Sequence, residues 1–286
     1  MQDDRPDRGD QFPDESGGLA HLRRFTAARI GLGRVGSGQS TTATLNFRAD
    51  HARARDAVHI PLDFAPLEEA LRSQGWSVVH LRTAVKDRSE YLRRPDLGRR
   101  LSQEARALLQ GRAMGSDVVM MAADGLSSSA ISGNLTPLAA RLRVLLLARR
   151  LTLGPFVLVE QGRVAIGDEI GELLNARLGI VLIGERPGLS AADSLGAYIT
   201  WQPRIGAMDS HRNCISNIRA AGLPIEDAAK QIDDLVSRAL SHAMTGVALN
   251  DRCSRLAPAS VTNSESSPKA SSSEAGTASR EENTSM

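Results

Sequence analysis

Gly179-Ile180-Val181-Leu182-Ile183-Gly184-Glu185-Arg186-Pro187-Gly188-Leu189-Ser190 decides how the chain is read. Its opening half is a short, unbroken apolar run rich in Ile and Val. Such a run reads as a strand buried on both faces. Gly184 ends it, and Glu185 and Arg186 follow at the strand's carboxyl end, where open α/β sheets hold ligands. Pro187 fixes φ and Gly188 permits φ > 0, so a turn is expected there. A carboxylate and a guanidinium are thus carried to a strand end on a rigid turn. On local physics alone, a surface ion pair beside a loop is the simpler account.

Working outward, the same rhythm repeats. Val118–Ala123 reads as a buried strand ending in Asp124-Gly125-Leu126-Ser127, with a serine placed to cap the next helix. An apolar helix is expected over Leu138–Leu151, a strand over Phe156–Val159, a turn over Gln161–Val164 and a helix over Ile166–Leu178. Beyond the central stretch come a strand over Ala197–Trp201 and a last helix around Leu235 and Leu240, entered near Pro224. Alternation of this kind implies a mostly parallel sheet with helical crossovers. The fold class is therefore α/β: a Rossmann-like, mostly parallel sheet domain over residues 101–250, preceded by a smaller, mainly helical region over 19–100. That region holds a helix from Thr42 through Val58, another over Leu67–Gln74, and an alternating strand over Trp76–Leu81. Residues 1–18 are polar and 251–286 are rich in Ser, Ala, Thr and Glu, so both ends are expected to be disordered.

Composition excludes several classes. The 286 residues are 41% hydrophobic and carry a net charge of +2, and only 3% are aromatic. That balance argues against nucleic acid as a partner and against base-stacking platforms. No apolar stretch approaches bilayer length, and the polar N-terminus offers no secretory h-region. Cys214 and Cys253 make neither a disulfide framework nor a metal cluster, which fits a reducing cytoplasm.

Single motifs are weak. Gly31, Gly33 and Gly36 match G-x-G-x-x-G, but no strand leads in and no apolar helix follows, so an arginine-bearing loop is the better reading. His211 near Cys214 is poor evidence for a nucleophile, and the six histidines show no metal-ligand spacing. Asp209-Ser210-His211-Arg212-Asn213-Cys214 approaches the D-x-H-x-x-G loop that replaces cobalamin's lower base, but puts Cys where Gly is needed. Arg93, Arg94, Arg99 and Arg100 could clamp an anion or face water.

Taken in order, the motifs say more. They are Ala28-Arg29-Ile30-Gly31-Leu32-Gly33-Arg34, Asp50-His51-Ala52-Arg53-Ala54-Arg55-Asp56, Tyr91-Leu92-x-Arg94-Pro95-Asp96-x-Gly98-Arg99-Arg100-Leu101, Asp124-Gly125-Leu126-Ser127, Gly184-Glu185-Arg186-Pro187-Gly188-Leu189 and Cys214-Ile215-Ser216-Asn217-Ile218. This series resembles the small (light) subunit of ethanolamine ammonia-lyase from about Leu19 to Leu249. The resemblance implies an adenosylcobalamin enzyme that deaminates ethanolamine to acetaldehyde and ammonia by a radical mechanism. It implies a hetero-oligomer whose large subunit holds ethanolamine while the small subunit covers the cobalamin. It carries the cofactor-binding role to Val164, Glu185 and Cys214, and assigns this chain no catalytic residue and no metal ligand. Cys214 becomes a small wall residue rather than a nucleophile. The expected location is the cytoplasm, inside or outside a bacterial microcompartment. The rival readings are a scaffolding subunit that touches no cofactor and a free-standing dehydrogenase. The dehydrogenase fails for want of a strand before its glycines.

Overall fold

The structure, a computed structural model, describes residues 20–26, 28–32, 34–111 and 115–250. The two expected disordered ends, 1–18 and 251–286, lie outside the described residues.

Three apolar runs fix the middle of the sheet. β4 (Val118–Ala123), β5 (Leu153–Glu160) and β6 (Leu178–Gly184) are parallel neighbours, with β4 between the other two. Along β4, Val118, Met120 and Ala122 enter one core, while Val119, Met121 and Ala123 enter the other. Successive strand side chains point to opposite faces, so a run buried on both faces must be apolar throughout. β3 (Val78–Arg82) adds a parallel edge beside β5. On the opposite side β7 (Leu195–Trp201) and β8 (Arg212–Ile218) continue the sheet antiparallel from β6. The order is β3-β5-β4-β6-β7-β8, a mostly parallel mixed sheet.

Helices cover both faces. α2 (Ala65–Ser73), α5 (Ser128–Ala148) and α7 (Ile225–His242) close the larger core. α4 (Gln103–Leu109) and α6 (Ile166–Leu173) close the smaller one. α1 (Thr41–His59) buries only Ala57, and α3 (Arg88–Arg93) buries Tyr91. A short hairpin, β1 (Arg34–Val35) with β2 (Gly38–Gln39), turns at Gly36 in the left-handed region. Gly36 of the glycine motif thus serves a hairpin turn; Gly31 precedes the hairpin and Gly33 lies outside the described residues.

Four sequence expectations need correction. α5 starts at Ser128 rather than Leu138 and contains Pro137. Ser127 does cap it, accepting from the Ala130 N–H at 3.1 Å. Its first turns are hard to see because Ser132 and Asn134 are poor helix formers that bond back to the Ser128 and Ala130 carbonyls. α6 stops at Leu173, not Leu178. Asn175 takes a positive φ, its N–H meets the Glu172 carbonyl, and the Ala176 N–H meets that of Gly171. That Schellman stop frees Leu178 to begin β6. β8 was not foreseen as a strand, because its exposed Cys214, Ser216 and Asn217 hide the core-facing Ile215 and Ile218. Gly188 is not at positive φ; the turn after Pro187 is instead closed by reciprocal backbone bonds between Gly188 and Ala191.

Candidate functional site

The connection from β4 leads to β5, whereas β6 turns the other way to β7. Between the carboxyl ends of β4 and β6 the sheet has its switch point, where a crevice must open. A hollow of about 410 Å³ lies there, lined by Tyr91, Gly125, Leu126, Arg163, Val164, Ile183, Gly184, Glu185, Arg186 and Tyr198. A second, of about 500 Å³, adjoins it through shared Arg163, Val164 and Tyr198, and reaches Arg99, Met208, Asp209 and Arg212.

The floor is two strand ends pressed together. Gly184 fits because a side chain there would collide with the Ser127 carbonyl and meet that of Asp124 at 2.6 Å. The Leu126 N–H donates to the Gly184 carbonyl at 2.9 Å, locking the two turns. Asp124 is spent inside this floor. It is 4% exposed and takes Arg88 on Oδ2 at 3.1 Å. The Gly125 and Gly162 N–H groups donate to its Oδ1 at 3.1 and 3.3 Å. Burial pushes its carboxyl up to about 6, against the downward pull of Arg88 and those backbone bonds.

Glu185 sits differently. The Ser194 hydroxyl donates to its Oε2 at 2.5 Å, and the Asn217 N–H donates to the same oxygen at 3.2 Å. The second donor exists because β8 bulges: Leu195 pairs with Ile218 but Ala197 with Ile215, and Asn217 turns to positive φ. A bulge re-aims the backbone in this way. Gly196 supplies the room, since a side chain on it would meet Glu185 Oε1 at 3.0 Å. Among the described residues Oε1 has no donor and Glu185 has no cationic partner. Arg186, read as its ion-pair partner, is exposed and has no ion pair among the described residues.

The structure brings Val164 and Glu185 to one hollow. Cys214 lines neither hollow; it pairs across the strands with Tyr198, which does, and itself lines a separate hollow of about 330 Å³ beside α7. Cys214 is exposed as a residue, but partial burial of its thiol lifts the pKa above the ordinary value; interaction with Tyr198 lowers it, and the Glu185 charge raises it further. Tyr198 is raised as well, by burial and then by the charges of Cys214 and Glu185. Sequence reasoning missed Tyr198, Ser194, Gly196 and Arg163. Only Tyr198, an aromatic in a strand, left any signal. The arrangement can accept N–H donors on Glu185, lay an apolar surface over Val164 and stack against Tyr198.

A larger cleft, about 870 Å³, lies between α1, the start of α5 and residues 189–193. Its carboxylates Asp50, Asp56 and Asp193 are already paired, with Arg29 and Arg53, with Arg55 and with Arg219 respectively. It contains none of the sequence-predicted site residues. No helix among the described residues is long and apolar enough to cross a membrane.

Residues 16–250 match the family model described as ethanolamine ammonia-lyase light chain (EutC). The chain is 48% identical over 234 residues to the ethanolamine ammonia-lyase small subunit of Pseudomonas paraeruginosa, covering 80% of this chain and 86% of that protein. To the small subunit of Xanthomonas campestris pv. campestris it is 46% identical over 254 residues, covering 87% and 93% respectively. To that of Pseudomonas syringae pv. tomato it is 47% identical over 234 residues, covering 80% and 82%.

Proposed function

Because the chain belongs to the ethanolamine ammonia-lyase light-chain family, we propose that it covers adenosylcobalamin in a complex with a large subunit that holds ethanolamine. When bound, the cofactor supplies the radical, by cobalt–carbon homolysis, that starts deamination to acetaldehyde and ammonia. This chain's residues bind and orient. Glu185 accepts from the peripheral amides of the corrin, Val164 lies against its apolar surface, and Cys214 with Tyr198 forms a wall. No proton or electron moves through them. The complex works in the cytoplasm or within a microcompartment.

One observation carries the reading: among the described residues Glu185 keeps a carboxylate oxygen without a donor, in a notch left open by Gly196 at the switch point. A ligand rich in amide N–H groups matches that oxygen. Both hollows are open and smaller than a corrinoid, which suits a cofactor shared with a second chain. The same openness favours this reading over a scaffold, since a scaffolding face has no use for an acceptor held by two donors.

The test is adenosylcobalamin affinity of complexes reconstituted with the large subunit. Glu185→Ala leaves cofactor donors unpaired, at about 1–3 kcal/mol. Binding should weaken roughly 5- to 150-fold, and Glu185→Gln, which keeps an acceptor, should be milder. A folded Glu185→Ala complex that binds like the parent would refute the assignment. The subunit alone should bind weakly, because half of the site is missing; tight binding in isothermal titration would contradict sharing.

A further inference from the structure

We infer that Arg163, with Arg99 beside it, forms an anion subsite at the edge of the cofactor hollow, fitted to the phosphodiester on a corrinoid's nucleotide arm. The inference rests on the cofactor reading above and adds a ligand group to it.

Three closely packed arginines have carboxylates, while the half-buried Arg143 donates to the Gly75 carbonyl instead. Arg88 has Asp124, Arg212 has Asp168 and Arg219 has Asp193. Arg163 is half-buried and has none among the described residues. Its guanidinium lies 4.1 Å over the Tyr91 ring and donates to the Tyr91 carbonyl at 3.1 Å. Its Nε is buried without a partner. Such a cation is costly unless a ligand meets it.

The placement is built by the motif that begins at Tyr91. Tyr91 is fully buried, and its hydroxyl donates to the Gly162 carbonyl at 2.9 Å, so the platform is rigid. Gly98 leaves the notch for the arginine stem: a side chain there would meet Arg163 Cγ at 2.9 Å. The Arg163 N–H donates to the Gly98 carbonyl at 2.8 Å. Arg99, next in sequence to Gly98, is exposed, has no ion pair among the described residues and lines the second hollow with Arg163. The facing acids do not cancel them. Asp168 is bound by Arg212, Asp209 is fully exposed and leans to Arg212 at 3.5 Å, and Glu185 is held by Ser194 and Asn217. A planar fork matches a phosphate oxygen pair. The corrin's side chains are neutral amides, so the phosphodiester is the pendant anion available.

Adenosylcobinamide phosphate and adenosylcobinamide share the corrin and differ in the phosphate. Their affinities for the reconstituted complex are measured by absorbance titration, beside melting curves. The parent should prefer the phosphate-bearing analogue. Arg163→Gln should remove about 10- to 100-fold of that preference and Arg99→Gln about 2- to 5-fold, with adenosylcobinamide binding unchanged. If Arg163→Gln fails to fold, the exposed Arg99→Gln decides. Arginine variants that weaken both analogues equally, or neither, overturn the subsite; Glu185→Ala weakening both in the same series keeps the cofactor reading standing. If Glu185→Ala also changes neither, that reading falls and takes the subsite with it. A parent indifferent to the phosphate overturns the subsite too, and leaves the arginines to a free anion.

Discussion

The ends of β4 and β6 are neighbours in the same sheet, each closing with an acidic residue against a glycine, yet their carboxylates do different work. Asp124 is buried and both its oxygens are taken, one by Arg88 and one by two backbone N–H groups. Glu185 is half-exposed, and among the described residues only one of its oxygens is taken. Position at a strand end is common to both. Spare acceptor capacity is not, and that capacity separates a structural acid from a ligand-binding one.

Removing the cation at β4 should give the largest effect. Arg88 also donates to the Val58 carbonyl at 2.6 Å, so it joins α1 to the sheet. Arg88→Met should cost about 3–5 kcal/mol, because it leaves Asp124 buried and unpaired. The deficit should depend on pH. Asp124 already titrates near 6 when folded, above its unfolded value, and loses its downward pull without Arg88. A raised folded pKa gives stability that is present at low pH and lost as pH rises through it. Urea melts at pH 5 and pH 7 should therefore show a smaller deficit at pH 5. Equal deficits would mean that Asp124 is not the charge being stranded.

The junction between the two ends comes next. Gly184→Ala should destabilise by about 1–3 kcal/mol through overpacking against the Ser127 and Asp124 carbonyls. Gly188→Ala, with nothing closer than 3.9 Å, is the control and should melt like the parent. Similar losses in both would remove the interlock from the account.

At β6 the stability effects should shrink. Glu185→Ala should alter unfolding free energy by no more than about 0.5 kcal/mol, however much it weakens the cofactor. A multi-kilocalorie loss would make Glu185 a second Asp124 and erase the contrast. The smallest effect is chemical. Cys214 is held above its ordinary pKa partly by the Glu185 charge, so Glu185→Gln should lower the thiol pKa and speed its alkylation on the isolated subunit at pH 8. Peptide mapping would separate Cys214 from Cys253. An unchanged rate would show that the two groups do not sense each other.

The sequence shows some of this and hides the rest for physical reasons. β4, β5 and β6 are legible because burial on both faces forces continuous apolar runs. Glu185 is legible because such a run ends abruptly at Gly184. β8 is not legible, since an edge strand needs only Ile215 and Ile218 facing inward. The holders of Glu185 leave no trace either. Asn217 contributes a backbone N–H exposed by a bulge, Ser194 a hydroxyl from the loop just before β7, and Gly196 an absence of atoms. Arg163 reads as one more turn residue until Tyr91 and Gly98, far back in the chain, come to lie beneath it.

The antiparallel end of the sheet has one more consequence, in the order in which the site comes together. Glu185 meets Ser194 across 9 residues of chain, whereas Arg163 meets Tyr91 across 72. Closing the longer loop costs about 2 kcal/mol more chain entropy, since each doubling of length adds about 0.6 kcal/mol. The carboxylate's cradle belongs to a local meander that can close on itself, while the arginine's platform waits for distant segments to meet. Pulse-labelled hydrogen exchange should therefore find the Glu185 amide, bonded to the Ser194 carbonyl, protected before the Arg163 amide, bonded to that of Gly98. One wall of the cofactor hollow is then a product of nearby chain, and the other records the completed topology.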